Sequence, residues 1–434
     1  MGPLVFGALC IVGLFALILL QVPIAFALIT VGVIGFGVQA GWASALQFLA
    51  SEPAALLSSV DLSSLPLFLM MGTFVSIAGF SQDMYVAAAA FSGHRRGGLA
   101  YATIGACAAF GSICGSTMAT AATFGKIALP EMLRRSYSPA FASGTIAAAG
   151  TLKSLIPPSL IMILYCVVAK TFIFDMFAAA VFPALLTIAL NMLAIAVTVR
   201  LNPSAAPVSE RLPWRDRLTA VANAAPALLL MLIVFGGLYS GVFTVNEAAS
   251  VAAVLALVFA LARRRLTWTG LLQGLYQAAC ASVMLYMILV GSSVFTYCLT
   301  LARVPEALVA AIGSLHVAPF TVIVLLMVGY LILGTVFEEL SAILITLPVV
   351  LPIVVNLGYD PIWWGILNVV QVELAMIHPP MGIIVFLLHG LAPEIPMRTI
   401  YRGVVPFIVA DILVLVLLML FPGIALWLPQ ALAR

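Results

Sequence analysis

The chain has 434 residues, of which 64% are hydrophobic and only 8% charged, with a formal net charge of +3. No water-soluble domain carries that balance, and so slight a basic excess, placed in ones to threes beside apolar runs, excludes nucleic acid as a partner. A bilayer core about 30 Å thick takes roughly 20 apolar residues per helix, and backbone groups in lipid must pair with one another, so an all-α, multi-pass integral membrane protein is expected.

Apolar segments run over about 4–20, 22–39, 64–80, 97–132, 140–169, 176–199, 224–242, 245–262, 270–297, 318–352, 361–390 and 403–428. The first is not read as a cleaved signal peptide, because no basic region precedes it and a second apolar run follows at once. The six cysteines, Cys10, Cys107, Cys114, Cys166, Cys280 and Cys298, fall inside these segments without a C-x-x-C pair. They are expected to be buried packing residues. Segments 97–132 and 318–352 are near twice the crossing length and have small or polar residues at their middles. Both read as re-entrant helical hairpins. The one polar stretch, rich in Pro, Ser and charge, makes 201–223 a cytoplasmic linker between halves 1–200 and 224–434.

Those halves repeat. Pro130, Tyr137-Ser138-Pro139 and Pro157-Pro158 recur as Pro352, Tyr359-Asp360-Pro361 and Pro379-Pro380, all at an offset of 222 residues. Phe182-Pro183 and Val405-Pro406 continue the match after one insertion. Each unit therefore holds a hairpin and a helix (140–169 or 361–390) that its Pro-Pro pair must break, since proline lacks a donor and clashes with the preceding turn.

Charge predicts opposite orientations for the two units. Arg95 and Arg96 precede the first hairpin and Arg134 and Arg135 follow it, whereas no Lys or Arg occurs between Arg303 and Arg398. By the positive-inside rule the base of the first hairpin faces the cytoplasm and that of the second, with Asn356 and Asp360, faces outward. With five spans and one hairpin per half, 13 cations lie inside and 3 outside (Lys170, Arg303 and Arg434), and both termini lie outside. Lys126 and Lys153 remain at membrane depth, where Lys126 is expected to snorkel.

Inverted repeats with discontinuous helices are the architecture of secondary transporters, because a break near the midplane exposes carbonyls to a cation and helix N-termini to an anion. The breaks are Gly111 to Thr117 with Gly150 to Ser159, and Leu333 to Glu339 with Met376 to Gly382. Two equivalent cation sites are expected there. A buried ammonium at Lys153 costs about 2.5–3.5 kcal/mol unless compensated. It is expected to contact a substrate carboxylate, replace a bound cation, or pair with Glu373, Glu338 or Glu339.

The stretches PLFLMMGTFVSIAGF, GHRRGGLAYATIGACAAFGSICGSTMATAATFGKIALPEM, YSPAFASGTIAAAGTLKSLIPPSLIMILY and PVVLPIVVNLGYDPIWWGILNVVQVELAMIHPPMGIIVFLL resemble the large membrane (M) subunit of tripartite ATP-independent periplasmic (TRAP) transporters, the DctM-like family. The resemblance covers nearly the whole chain. It implies an elevator-type, sodium-driven importer of small organic anions of the carboxylate class in the bacterial cytoplasmic (inner) membrane. The implied partners are a small (Q) membrane subunit on a separate chain and a periplasmic substrate-binding (P) protein, with sodium as coupling ion and no cofactor. The resemblance places one sodium among Gly111, Ser112, Gly115, Ser116, Thr151, Ser154 and Pro157, and another among Gly334, Thr335, Glu338, Glu339, His378, Pro379 and Gly382. Ser116, Thr117, Lys153, Ser154 and Glu339 would meet substrate. The chain departs from the family pattern at Thr120, Lys153 and His378.

Other classes fit less well. The sequence has no H-E-x-x-H, four scattered histidines and no nucleotide-binding loop, which argues against an intramembrane enzyme or an ATP-driven pump. A channel would not need inverted hairpins. Within transporters, the alternative is a single-component sodium-coupled carrier of di- or tricarboxylates with a related fold.

Overall fold

The computed structural model describes residues 2–208, 211–337 and 339–432, with the side chains of Val336 and Glu339 excepted. Among the described residues there are only helices and turns. The first half comprises α1 (Pro3–Leu19), α2 (Ile24–Ala40), α3 (Trp42–Leu57), α4 (Ser64–Ile77), α5 (Phe80–Ser92), α6 (Gly98–Gly111), α7 (Thr117–Arg134), α8 (Pro139–Thr151), α9 (Leu160–Ala169) and α10 (Ile173–Leu201). The second comprises α11 (Trp214–Tyr239), α12 (Val245–Ala262), α13 (Trp268–Leu301), α14 (Val304–Ser314), α15 (Pro319–Val336), α16 (Glu339–Asn356), α17 (Pro361–Ile377), α18 (Ile383–Leu391), α19 (Met397–Leu420) and α20 (Gly423–Leu432).

Among the described residues five helices, α10 to α13 and α19, are each long and apolar enough to cross a bilayer. A sixth candidate is the pair Trp42–Leu57 and Asp61–Ile77, bent by 66°. Most of the others are shorter apolar helices, which at 1.5 Å per residue reach only part of the way.

Several elements differ from the sequence expectation. α3 and α5 were not anticipated, because Glu52-Pro53 and Ser81-Gln82-Asp83 interrupt their apolar patterns. α5 is anchored by the ion pair of Asp83 with Arg263, whose guanidinium also lies 4.6 Å from the Phe80 ring. The linker is shorter than 201–223, since α11 starts at Trp214. What remains is fastened down by Ser138 N–H donating to the Ala205 carbonyl at 2.9 Å. Cys280 is exposed, unlike the other five cysteines, because its face of α13 turns outward. The last apolar segment is broken at Phe421-Pro422 into α19 and α20.

The 222-residue register extends to helix boundaries. α7 and α16 start and stop at equivalent positions, 117–134 and 339–356, as do the starts of α8 and α17 at Pro139 and Pro361. Both starts use one device: Ser138 Oγ accepts from Phe141 N–H, Asp360 accepts from the N–H groups of Ile362 and Trp363, and proline follows as the first helical residue.

The halves meet along several helix pairs, α2 with α13, α4 with α12 and α8 with α19, and the last is a close backbone crossing. A Cβ added at Gly144 would lie 2.1 Å from the Gly403 carbonyl oxygen, and one at Gly403 would lie 1.8 Å from that of Ala140. Small residues allow this backbone approach, as they do in membrane bundles generally. Gly403→Ala should therefore cost about 1–3 kcal/mol of stability, seen as a lower melting midpoint of the purified protein in detergent. Gly236→Ala, whose Cβ meets nothing within 4 Å, should leave the midpoint unchanged.

Candidate functional site

The first break begins where the α8 hydrogen-bond ladder runs into Pro157-Pro158. α8 ends at Thr151 and tightens into a 3-10 turn over Leu152–Ser154. Pro157-Pro158 is cis, and α9 resumes only at Leu160. The turn packs on the end of α6, so closely that a Cβ at Gly111 would lie 2.8 Å from Lys153 Cβ. Gly150 is equally close to α7, where an added Cβ would lie 2.8 Å from Ala121 Cβ. Glycine at both positions lets the tip between α6 and α7 seat on the break.

Across that contact Thr117 Oγ1 and Ser154 Oγ are 3.1 Å apart and both buried, which ties the tip to the break directly. Ser116 caps α7 by accepting from Ala119 N–H, and its carbonyl accepts from Thr120 Oγ1 at 3.0 Å. Ser112 and Thr151 donate their hydroxyls to carbonyls three residues back, at 2.7 and 2.8 Å. Hydroxyls held in this way keep their oxygen lone pairs free to turn outward, the disposition that a hard cation requires. Ser116 is exposed, and with Gly115 it lines a cavity of about 190 Å³ against Gly72 and Thr73 of α4 and Gln277 of α13.

Lys153 is 2% exposed, and so is Glu373 of α17, the helix on which the 3-10 turn packs. Both are engaged in polar or electrostatic interactions. The structure thus gathers Gly111, Ser112, Thr117, Thr151, Lys153, Ser154 and Pro157 into one enclosed cluster.

The second break is built alike but is more open. α17 ends at Ile377, Pro379-Pro380 is cis, and Gly382 adopts φ +48° before α18. His378 is half-buried with Nδ1 lacking a described partner, while Pro379, Pro380 and Met381 are exposed. Tyr401 Oη bridges to the carbonyls of Pro380 and Met381 at 2.9 Å. At the matching tip, Thr335 Oγ1 donates to the Ile332 carbonyl at 2.7 Å, and a Cβ on Gly334 would meet Ala375 Cβ of α17 at 2.5 Å. Glu338 and the Glu339 side chain lie outside the described residues.

Sequence reasoning missed the polar row on α17, where Asn368 and Gln371 are as buried as Glu373. It placed Ser159 in the first break but gave it no role, and its buried Oγ has no described partner immediately after the Pro-Pro pair. The signal was present in both cases: polar side chains three residues apart on an apolar helix, and a hydroxyl beside a helix break. A cavity of about 520 Å³ between α14 and the end of α16 is lined by none of the described residues that the sequence assigns to a site.

A family model described as "Tripartite ATP-independent periplasmic transporter, DctM component" matches residues 11–424. Similar proteins include the C4-dicarboxylate TRAP transporter large permease protein DctM of Pseudomonas aeruginosa, 34% identical over 85% of this chain and 86% of that one. The ectoine TRAP large permease TeaC of Halomonas elongata is 29% identical, covering 96% of this chain and 97% of that one. The sialic acid TRAP large permease SiaM of Vibrio cholerae is 28% identical over 97% of each chain. Among solved structures, the Alcanivorax borkumensis YdaH transporter shares the fold, with a TM-score of 0.60 at 16% identity over 89% of this chain and 90% of that one. The chain belongs to the DctM family of TRAP transporter large permeases and is a multi-pass transport subunit, not an enzyme.

The Thr117–Ser154 contact makes a measurable prediction. Thr117→Val and Ser154→Ala, alone and combined, should show a coupling of about 0.5–1.5 kcal/mol in detergent melting or denaturant titration.

Proposed function

We propose that the chain imports a small carboxylate-bearing anion, driven by sodium, across the bacterial inner membrane by an elevator movement of the broken-helix unit. In this reading the two halves are inverted repeats, the α6–α7 and α15–α16 pairs are re-entrant hairpins, and a separate small subunit and a periplasmic binding protein complete the system. The observation that carries it is the seating of the Gly111–Thr117 tip on the Leu152–Ser154 turn, closed by the Thr117–Ser154 contact and repeated 222 residues later by Gly334 against α17. Two interrupted helices meeting two helix tips, with hydroxyl and backbone oxygens at both, are the chemistry expected of a pair of cation sites.

The sodium ligands of the first site would be backbone and hydroxyl oxygens from Gly111, Ser112, Gly115 and Ser116 with Thr151, Ser154 and Pro157. Those of the second would come from Gly334, Thr335, Glu338 and Glu339 with His378, Pro379 and Gly382. Substrate would meet Ser116, Thr117, Lys153, Ser154 and Glu339. A carboxylate substrate agrees with the names of relatives that carry C4-dicarboxylates and sialic acid, and with an ammonium buried within the first break.

The test is uptake into liposomes containing this chain and the small subunit, with the binding protein added outside under an inward sodium gradient. Uptake should require all three components and collapse when sodium is equal on both sides. Transport by this chain alone would establish the single-component carrier instead. Lys153→Ala should lower substrate-stimulated transport by at least about tenfold, the loss of one buried charge-assisted contact. An unchanged rate and unchanged sodium count would remove Lys153 from the site.

A further inference from the structure

α10 and α19 carry the last matched prolines of the repeat, Pro183 and Pro406, and pack on each other. Both are apolar enough to cross a bilayer, yet their contact holds two polar side chains. Asp411, well inside α19, is 3% exposed, and Asn191, well inside α10, is 1% exposed. The Asn191 amide is the one polar group that acts on the Asp411 carboxyl. Even so, Asn191 Oδ1 and Nδ2 and Asp411 Oδ2 meet no partner at hydrogen-bond geometry among the described residues. The pair is not a product of the repeat. In the register that brings Pro183 onto Pro406, the counterpart of Asn191 is Val414 and that of Asp411 is Ile188.

No cation balances a charge at Asp411. Of the helices packed on α19, α8 and α20 bring no titratable side chain. Arg398 and Arg402 on α19 and Arg200 on α10 stand nine or more residues away, at least about 13 Å along the helix. Asp175 at the start of α10 and Glu373 on α17 are acids, which favour a neutral neighbour. His389 on α18 faces the Ile395 carbonyl, and Tyr401 those of Pro380 and Met381. An ionised carboxylate would therefore be a buried charge without a counter-ion, which is costly at membrane depth.

The groups present select the ligand. A hard metal cation takes about six oxygens, and the buried neighbours along the two helices, Ile195, Phe407, Ile408 and Val414, offer none from their side chains. Thr187, one turn before Asn191, gives its hydroxyl to the Pro183 carbonyl. A proton needs a single acceptor. A carboxylic acid and a carboxamide are complementary, since the acid O–H donates to the amide oxygen and the amide N–H to the acid carbonyl oxygen. An ionised Asp411 would satisfy Nδ2 alone and leave Asn191 Oδ1 unmet.

We propose that Asp411 and Asn191 form a binding site for one proton inside the membrane, where the two halves meet, with Asp411 donating to Asn191 Oδ1 and Asn191 Nδ2 donating in return. The site is independent of the transport reading, because it shares no residue with either break.

Infrared difference spectroscopy of the full chain in lipid vesicles at neutral pH, which reads the C=O stretch of a protonated carboxyl, tests the assignment. Wild type minus Asp411→Asn should show that band at the intensity of one carboxyl, because Asn keeps the shape and carries no acid proton. Any band from Glu373 cancels in the difference. Asn191→Leu should keep the band and move it to higher frequency, the mark of a carbonyl that has lost its hydrogen bond. Heavy-carbon labelling of the aspartate carboxyls should lower the frequency of the same band without any substitution, and decides the matter if Asp411→Asn does not fold. A difference spectrum without the band, or a band that Asn191→Leu leaves in place, overturns the proposal. A band that appears only when sodium is withdrawn makes the site one for a metal cation and overturns it as well.

Discussion

Inside a bilayer no water waits to satisfy an interrupted backbone, so a helix that stops at membrane depth must be closed around by other protein. The arrangement of this chain follows from that constraint. α8 cannot continue through Pro157-Pro158, and the groups freed there lie in a shell made by the end of α6, the start of α7 and the face of α17. Glycine at positions 111 and 150 is what lets the shell close, since any larger side chain would hold the tip away from the break. The close α8–α19 crossing through Gly144 and Gly403 serves the same end from the other side, by holding the broken helix against the second half.

The two breaks share a sequence pattern and differ in exposure. Pro157, Pro158 and Ser159 are buried, while Pro379, Pro380 and Met381 are exposed. A repeat that was symmetric in sequence and environment would offer two equal sites. Here the first is enclosed, with a lysine among its buried groups, and the second stands open with its carbonyls held by Tyr401. Tyr401 lies just after the start of α19, outside α15 to α18, so the second break is held by an element that follows it in the chain. At the first break the contact comes from the tip between α6 and α7, through Thr117 and Ser154.

Much of this is legible in the sequence, and the reason is physical. Pro-Pro pairs, hairpin-length apolar runs and a fixed offset are local signals that a membrane environment makes hard to interpret otherwise. They fixed the breaks at Gly111 to Thr117 and Thr151 to Pro157, and their counterparts. α3 and α5 were missed because a few polar residues break the apolar pattern that marks a span, although Asp83 is paired with Arg263 in the fold. The linker was overextended because Arg215, Asp216 and Arg217 look solvent-facing in sequence, whereas Arg217 is buried in the first turns of α11. Asn368 and Gln371 were passed over for the opposite reason, since neighbouring Trp, Val and Leu residues make α17 read as uniformly apolar.

Lys153 brings these strands together. A lysine at membrane depth is costly in isolation, and it becomes tolerable where the backbone is already interrupted, because carbonyls and hydroxyls that no longer serve a helix ladder can solvate an ammonium. The 3-10 turn that carries Lys153 exists because Pro157-Pro158 forbids the next helical turn, and it rests on α17, where Glu373 is equally buried. The interruption of α8 therefore leaves Lys153 in a turn outside any helix ladder, beside the Thr117–Ser154 contact and against the helix that buries Glu373. At the matching position 222 residues on stands Ala375, so the two breaks differ in charge as well as in exposure.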